Sequence, residues 1–179
     1  SKKNSLIFPS IINKINTTIF GSIDKYDEEI IFTAIGKQYP LGDIDLQNNH
    51  EYLIFVPHET NSYNVNRVIK KLNDNNFRKI TFIDNLYEDS LHNIIIVDQV
   101  GFLADLYKYT SKAYVGGGFS RGVHSILEPA VYNCNIAFGP NIEMLNEAKD
   151  LVNNNHANII KTTNDMYRFL KSKNKENTT

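Results

Sequence analysis

The densest group of chemically capable residues is the run Gly116-Gly117-Gly118-Phe119-Ser120-Arg121-Gly122-Val123-His124-Ser125-Ile126-Leu127-Glu128-Pro129. Three consecutive glycines admit positive φ and a close backbone approach that a Cβ would block. Successive amides in such a turn can form a concavity for an anion. Arg121 adds a fixed positive charge able to bond phosphate or carboxylate. A helix carrying Ile126, Leu127, Ala130 and Val131 would aim its free N–H groups at the same place. Two local readings compete with ligand binding. Gly116–Gly118 equally suit a tight turn packing strand against helix. Ser125-x-x-Glu128 is a complete capping box, in which serine and glutamate satisfy the helix's own donors. Pro129 is tolerated only in a first turn, so Glu128 stands near a helix start under either reading.

Three more segments carry unusual residues directly after apolar runs: Gly21-Ser22, Pro57-His58-Glu59 and Asp98-Gln99-Val100-Gly101. Taken singly, His58 and His124 fit structural roles, and Asp98 fits a turn or cap. His50, His92 and His156 have no partner at metal-ligand spacing and read as surface, and no Cys/His cluster suggests zinc. Tyr107, Tyr109 and Tyr114 read as core or cleft wall. A dinucleotide fingerprint fails. Gly116 and Gly118 fit G-x-G-x-x-G, but Arg121 takes the third glycine's place and no carboxylate follows until Glu143.

Positioning these loops requires a regular scaffold, and the pattern supplies one. Strands are expected at Thr17–Gly21, Tyr52–Val56, Lys79–Ile83, Ile94–Val97, Ala113–Val115, Asn135–Phe138 and Ala157–Ile160. Helical periodicity marks Lys25–Gln38, Asn64–Asn73, Gly101–Tyr109, Glu143–Val152 and Asn164–Lys171. In the fourth of these, Met144, Leu145, Ala148, Leu151 and Val152 form the inner face. Such alternation, with near-continuous apolar strands, implies an α/β fold: a parallel sheet with helices on both faces. Ligands of such sheets bind outside the carboxyl ends of the strands. All four loops would share that edge.

The 179 residues suit one domain, expected over 1–172, with a polar tail at 173–179 that should fray. Hydrophobic residues make up 41%, enough to fill a core, and the formal net charge of -1 argues against a nucleic-acid partner. The single cysteine, Cys134, lies in an apolar stretch and reads as a buried thiol. No apolar run approaches a membrane span, and no signal peptide is visible. The chain opens on Ser1-Lys2-Lys3-Asn4 without methionine, as expected of a piece whose N-terminal partner domain is missing.

Taken together, the run from Gly117 to Pro140 resembles the C-terminal domain of the 3-deoxy-D-manno-octulosonic acid (Kdo) transferases. That family carries a glycine pair, then Gly-(Gly)-His-Asn-x-Leu-Glu-Pro-Ala, then Phe-Gly-Pro. Here these stand as Gly117-Gly118, Gly122-Val123-His124-Ser125-Ile126-Leu127-Glu128-Pro129-Ala130 and Phe138-Gly139-Pro140. Upstream, Asp98-Gln99-Val100-Gly101-Phe102-Leu103 is similar to Asp-Thr-x-Gly-x-Leu. Val56-Pro57-His58-Glu59 and Phe20-Gly21-Ser22 followed by Asp27-Glu28-Glu29 match two further segments. The matches keep their order over about residues 19–152.

The resemblance implies a Rossmann-like half of a two-domain GT-B glycosyltransferase that moves Kdo from CMP-Kdo to a lipid A precursor in lipopolysaccharide biosynthesis. It implies no required metal or cofactor, and a place at the cytoplasmic side of the bacterial inner membrane. Carried over by position, Pro57, His58, Val100, Gly101, Phe102, Ser125, Ile126, Leu127 and Glu128 would line the CMP pocket, with Glu128 on the ribose hydroxyls. The charge argument adds Gly117, Gly118 and Arg121. The catalytic carboxylate, the lipid A precursor site and any membrane contact would belong to the absent N-terminal domain, so no catalytic residue is assigned here. Three positions depart from the pattern: Ser125 for asparagine, Val123 for glycine, and Pro57 where arginine often precedes the histidine. Two other readings share the glycine loop and glutamate helix. One is a GT-B transferase or epimerase using a uridine sugar nucleotide; the other is a non-catalytic nucleotide-binding module.

Overall fold

The computed structural model describes residues 12, 16–44, 51–86 and 92–174. Its strands are β1 (Thr17–Ile23), β2 (Tyr52–Pro57), β3 (Ile80–Phe82), β4 (Ile94–Ile96), β5 (Lys112–Val115), β6 (Asn135–Phe138) and β7 (Ala157–Ile159). They form one sheet in the order β3-β4-β2-β1-β5-β6-β7, and every neighbouring pair is parallel. The helices are α1 (Lys25–Gln38), α2 (Ser62–Asp74), α3 (Leu103–Leu106), α4 (Leu127–Val131), α5 (Asn146–Asn153) and α6 (Thr163–Lys171).

Side chains alternate across each strand, so the β-branched and aromatic runs feed two cores. Phe20, Leu53, Phe55, Ile94, Ile96 and Tyr114 face α1, α2 and α6, meeting Ile31, Phe32, Val68, Leu72, Met166 and Phe169. Ile19, Ile54, Val56, Ile95, Ala113 and Val115 face the other way, onto Leu106, Tyr107, Ile126, Cys134 and Ala148. On the first face Phe55 is sandwiched. Its ring centroid lies 4.9 Å from that of Phe20 and 5.6 Å from that of Phe32, each pair nearly parallel. Such aromatic pairs add about 0.5–1.5 kcal/mol each beyond area burial.

The expected doubly covered parallel sheet is therefore present, and Cys134 is buried as anticipated. Three local expectations fail. The helix around Ile126 is a single turn, because Pro129 must sit near its start and Asn133, at φ 55°, ends it in the left-handed conformation. Leu127, expected to line the nucleotide pocket, and Val131 are 56% and 80% exposed. Met144 is 91% exposed, because it lies in the turn before α5 and not on its inner face. The segment from Gly101 starts late, with α3 running straight into a 3₁₀ turn at Tyr107–Tyr109.

At the expected tail, Ser111 Oγ donates to Asn174 Oδ1 (3.1 Å) and Asn135 Nδ2 to Ser172 Oγ (3.0 Å), which ties residues 172–174 to the sheet. Residues 175–179 and His50 lie outside the described residues. Among those described, no helix is long and apolar enough to cross a membrane.

Candidate functional site

The strand order reverses at β1, which has β2 on one side and β5 on the other. A crevice is forced open where successive connections leave such a switch point in opposite directions. The glycine run lies there, and its geometry explains its composition. A Cβ on Gly116 would stand 2.2 Å from the Ser22 carbonyl oxygen and 2.7 Å from Ile23 Cα. A Cβ on Gly118 would meet the Gly139 backbone at 2.6 Å. These residues are glycine so that the loop after β5 can lie against the ends of β1 and β6. Most amides of this loop are engaged within the chain. Gly116 N–H donates to the Gly21 carbonyl (2.8 Å), and Gly117, at φ +93°, donates to the Asp27 carboxylate (3.1 Å). The amides of Ser120, Gly122, Val123 and His124 also donate to backbone carbonyls of the chain. Gly117, bonded to Asp27, and Gly118, against Gly139, thus shape the loop.

Asp27, which the sequence reading did not single out for the site, is the anchor of this loop. It is buried and accepts from Tyr114 Oη (2.7 Å), Gly117 N (3.1 Å) and Asp24 N (2.9 Å). Asp24 is the N-cap of α1, accepts from Tyr26 N and Asp27 N, and takes the Ser120 hydroxyl on its other oxygen. Asp24 and Asp27 together make a capping box; the signal was Asp-x-x-Asp before an apolar period, with aspartate where glutamate is usual. Burial pushes the Asp27 carboxyl up to about 6, although its hydrogen bonds oppose the rise. The folded state therefore favours protonated Asp27. That preference stabilises fully below the free aspartate range and is lost as pH rises through about 6. We expect the Asp27 carboxyl carbon to titrate near that value by NMR, and Asp27→Asn to gain stability relative to wild type between pH 4 and 7. A wild-type carboxyl titrating as an ordinary surface aspartate contradicts this.

Among the described residues, two cavities open on this edge. The smaller, about 230 Å³, is lined by Ser22, Gly101, Leu103, Ala104, Tyr107, Val115, His124, Ser125 and Glu128. Residues from three separate strand-end segments, those of β1, β4 and β5, therefore converge. Ser125 Oγ donates to Glu128 Oε2 at 2.9 Å. The capping box expected of this pair is absent: the residue preceding α4 is Ile126, and no side chain caps the helix. At the cavity wall Ser125 is exposed and Glu128 half-buried.

The remaining expected residues divide. Ile126 is buried in the second core and Phe102 packs on its edge, while Val100 is 88% exposed. Pro57 ends β2 and is buried. His58 and Arg121 line a different, larger cleft of about 780 Å³, together with Asp24, Lys25, Tyr26, Glu59, Tyr63, Arg67, Ser120 and His124. The expectation of one cleft holding glycine turn, arginine and helix mouth is therefore corrected: there are two, and His124 walls both. Its ring stacks on His58 at 4.2 Å between centroids and 13° between planes. Burial lowers the His124 pKa, the adjacent His58 lowers it further, and Asp24 partly opposes both. Below the larger cleft, Arg67 clamps the buried Glu28. Its Nε reaches both carboxylate oxygens (2.9 and 3.0 Å) and its Nη2 reaches one (2.8 Å).

No family model matches this chain. Among curated relatives, the 3-deoxy-D-manno-octulosonic acid transferase of Rickettsia typhi is 28% identical over 155 residues, covering 86% of this chain and 32% of that protein. That of Aquifex aeolicus is 31% identical over 135 residues, covering 75% and 35%. The chain thus spans about a third of the length of these relatives. Among solved structures, the C-terminal CMP-Kdo binding domain of WaaA from Acinetobacter baumannii superposes with a TM-score of 0.71, at 19% identity, over 89% of this chain and 80% of that one. That likeness is one of fold, the Rossmann-like half of a GT-B glycosyltransferase, and the sequence matches point the same way. The chain belongs with the 3-deoxy-D-manno-octulosonic acid transferases, as the counterpart of their C-terminal domain.

Proposed function

We propose that this chain seats the CMP part of CMP-Kdo in the smaller cavity and is the donor half of a transferase that moves Kdo onto a lipid A precursor. The observation that carries the reading is Glu128: a carboxylate that caps no helix and accepts from Ser125, at the wall of a cavity built at the sheet's switch point. An acceptor-only group in that position suits a pair of ribose hydroxyls. Ser125, Gly101 and Tyr107 complete the near wall. The acceptor and the general base come from an N-terminal domain, since a base must lie within hydrogen-bond reach of the acceptor hydroxyl. This half acts with no metal or cofactor of its own. The full protein works at the cytoplasmic side of the bacterial inner membrane, its membrane contact made by that other domain.

Calorimetric titration of CMP, UMP, ADP and NAD into the chain tests this. CMP should bind best, weakly, and equally well in EDTA. A tighter UMP or NAD isotherm transfers the chain to a uridine or dinucleotide reading. Glu128→Ala should weaken CMP by about 1–3 kcal/mol, the loss expected when a buried polar contact goes unpaired. Thermal stability should stay level, because Glu128 caps nothing.

A further inference from the structure

Asp27 lines neither cavity, yet it joins the parts from which the site is built. It belongs to α1. Tyr114, on β5, donates to its Oδ1 (2.7 Å), and Gly117, at the head of the glycine loop, donates to its Oδ2 (3.1 Å). The Asp24 amide shares that second oxygen (2.9 Å). Asn141 holds the loop from its other side. Its Nδ2 donates to the Ser120 carbonyl (3.0 Å), its N–H to the Gly118 carbonyl (2.9 Å), and its own carbonyl accepts from Val123 N (3.0 Å). His124 N–H then closes on the Gly116 carbonyl (3.1 Å), directly before Ser125 and Glu128.

These ties matter because the loop has little else to fix it. Gly116, Gly117, Gly118 and Gly122 carry no side chain to pack, and their backbones have the most freedom to lose. Phe119 supplies the apolar contact with the first core, while Ser120 is half-buried and Arg121 exposed. A buried acceptor that gathers three donors is strong in such surroundings and sharply directional. A loop already fixed in its binding conformation spares the ligand the ordering cost.

We propose that Asp27 is a positioning residue for nucleotide binding: it fixes Gly117, and so delivers His124, Ser125 and Glu128 to the wall of the smaller cavity. The inference rests on that cavity holding CMP. It adds a group that touches no ligand and acts through the backbone of the loop.

The test is calorimetry of CMP on wild type, Asp27→Ala and Asp27→Asn, well below their melting temperatures. Asparagine can turn its oxygen to the Gly117 and Asp24 amides and its NH₂ to the Tyr114 oxygen, which keeps all three bonds. Alanine keeps none. Asp27→Ala should bind CMP about tenfold more weakly, as one lost hydrogen bond to a charged group implies. Asp27→Asn should bind it like wild type. If Asp27 serves folding alone, alanine lowers the melting temperature and leaves the CMP affinity of the folded chain unchanged; that result overturns the proposal. An asparagine variant as weak as alanine overturns it too.

Wild type gives a second measurement, should the alanine variant not fold. A ligand that needs this latch must tighten it in return. Saturating CMP should therefore slow hydrogen exchange at the Gly117 amide by the same factor, about tenfold. Exchange that stays the same although CMP binds overturns the proposal. A wild type that binds no CMP refutes the nucleotide reading, and the proposal falls with it.

Discussion

Arg67→Ala should cost about 3–5 kcal/mol of unfolding free energy, the usual loss when one partner of a buried ion pair is removed. Glu28 is the reason. Its side chain is only 3% exposed, so without the guanidinium a carboxylate stays buried with its three charge-assisted bonds gone. Arg67 is 21% exposed, and water entering its place sets the outcome toward the lower end of that range. Urea denaturation measures the loss. The double variant Glu28→Gln with Arg67→Met should recover most of it, because no charge is then left in the interior. A single variant within 1 kcal/mol of wild type means that Glu28 is already solvated, and the clamp is then not a stabilising element. Because Arg67 also lies 5.6 Å from the centre of the Tyr63 ring, its loss should loosen one wall of the larger cleft.

Gly116→Ala should do comparable damage by a different route. Its Cβ would stand 2.2 Å from a carbonyl oxygen and 2.7 Å from two further backbone atoms, none of which can rotate away. Overpacking typically costs about 1–3 kcal/mol, and contact with backbone alone places this substitution at the upper limit. The displaced segment is also where β5 leaves β1, so the loop leading to His124, Ser125 and Glu128 must move with it. CMP affinity should fall together with stability. Gly101→Ala makes the contrast: that position has φ +93° but nothing within 4 Å of the added carbon, so only backbone strain is introduced. If Gly116→Ala is no worse than Gly101→Ala, the close approach of the two strand ends is not what this glycine serves.

Much of the scaffold was legible before any coordinates, and for identifiable reasons. The helix Lys25–Gln38 has the expected bounds because an extended aspartate at 24 stops the period on one side and Tyr39 leaves it on the other. The runs TTIFG and YLIFV became buried parallel strands because they are apolar, β-branched or aromatic on both faces, and NIAF because Ile136 and Phe138 fill one core and Ala137 the other. The strand-end rule then brought Ser22, Gly101, Ser125 and Glu128 to one cavity from widely separated positions.

What pattern could not show was how each local group is used. Ser-x-x-Glu at 125–128 reads as a cap, yet the position before α4 falls on Ile126, whose backbone (φ -111°, ψ 1°) is not extended and whose side chain has no oxygen to accept. Asp24-x-x-Asp27 carries the true cap, a local signal in the sequence, and also the loop anchor, which depends on Gly117 and Ser120 folding back from far along the chain. Arg121 was expected beside Glu128. Gly122, at φ +131°, turns the loop between them and delivers each to a different cavity.

The placement of β1 in the middle of the sheet has a consequence for biosynthesis. Its second neighbour, β5, pairs Lys112–Val115 with Thr18–Gly21, so an emerging polypeptide holds one side of its central strand unpaired until most of the domain has left the ribosome. A bare strand edge of that kind recruits other chains. Premature termination between α2 and β5 should therefore yield insoluble fragments, and pulse-labelled nascent chains should acquire protease resistance only after Val115 is exposed to solvent.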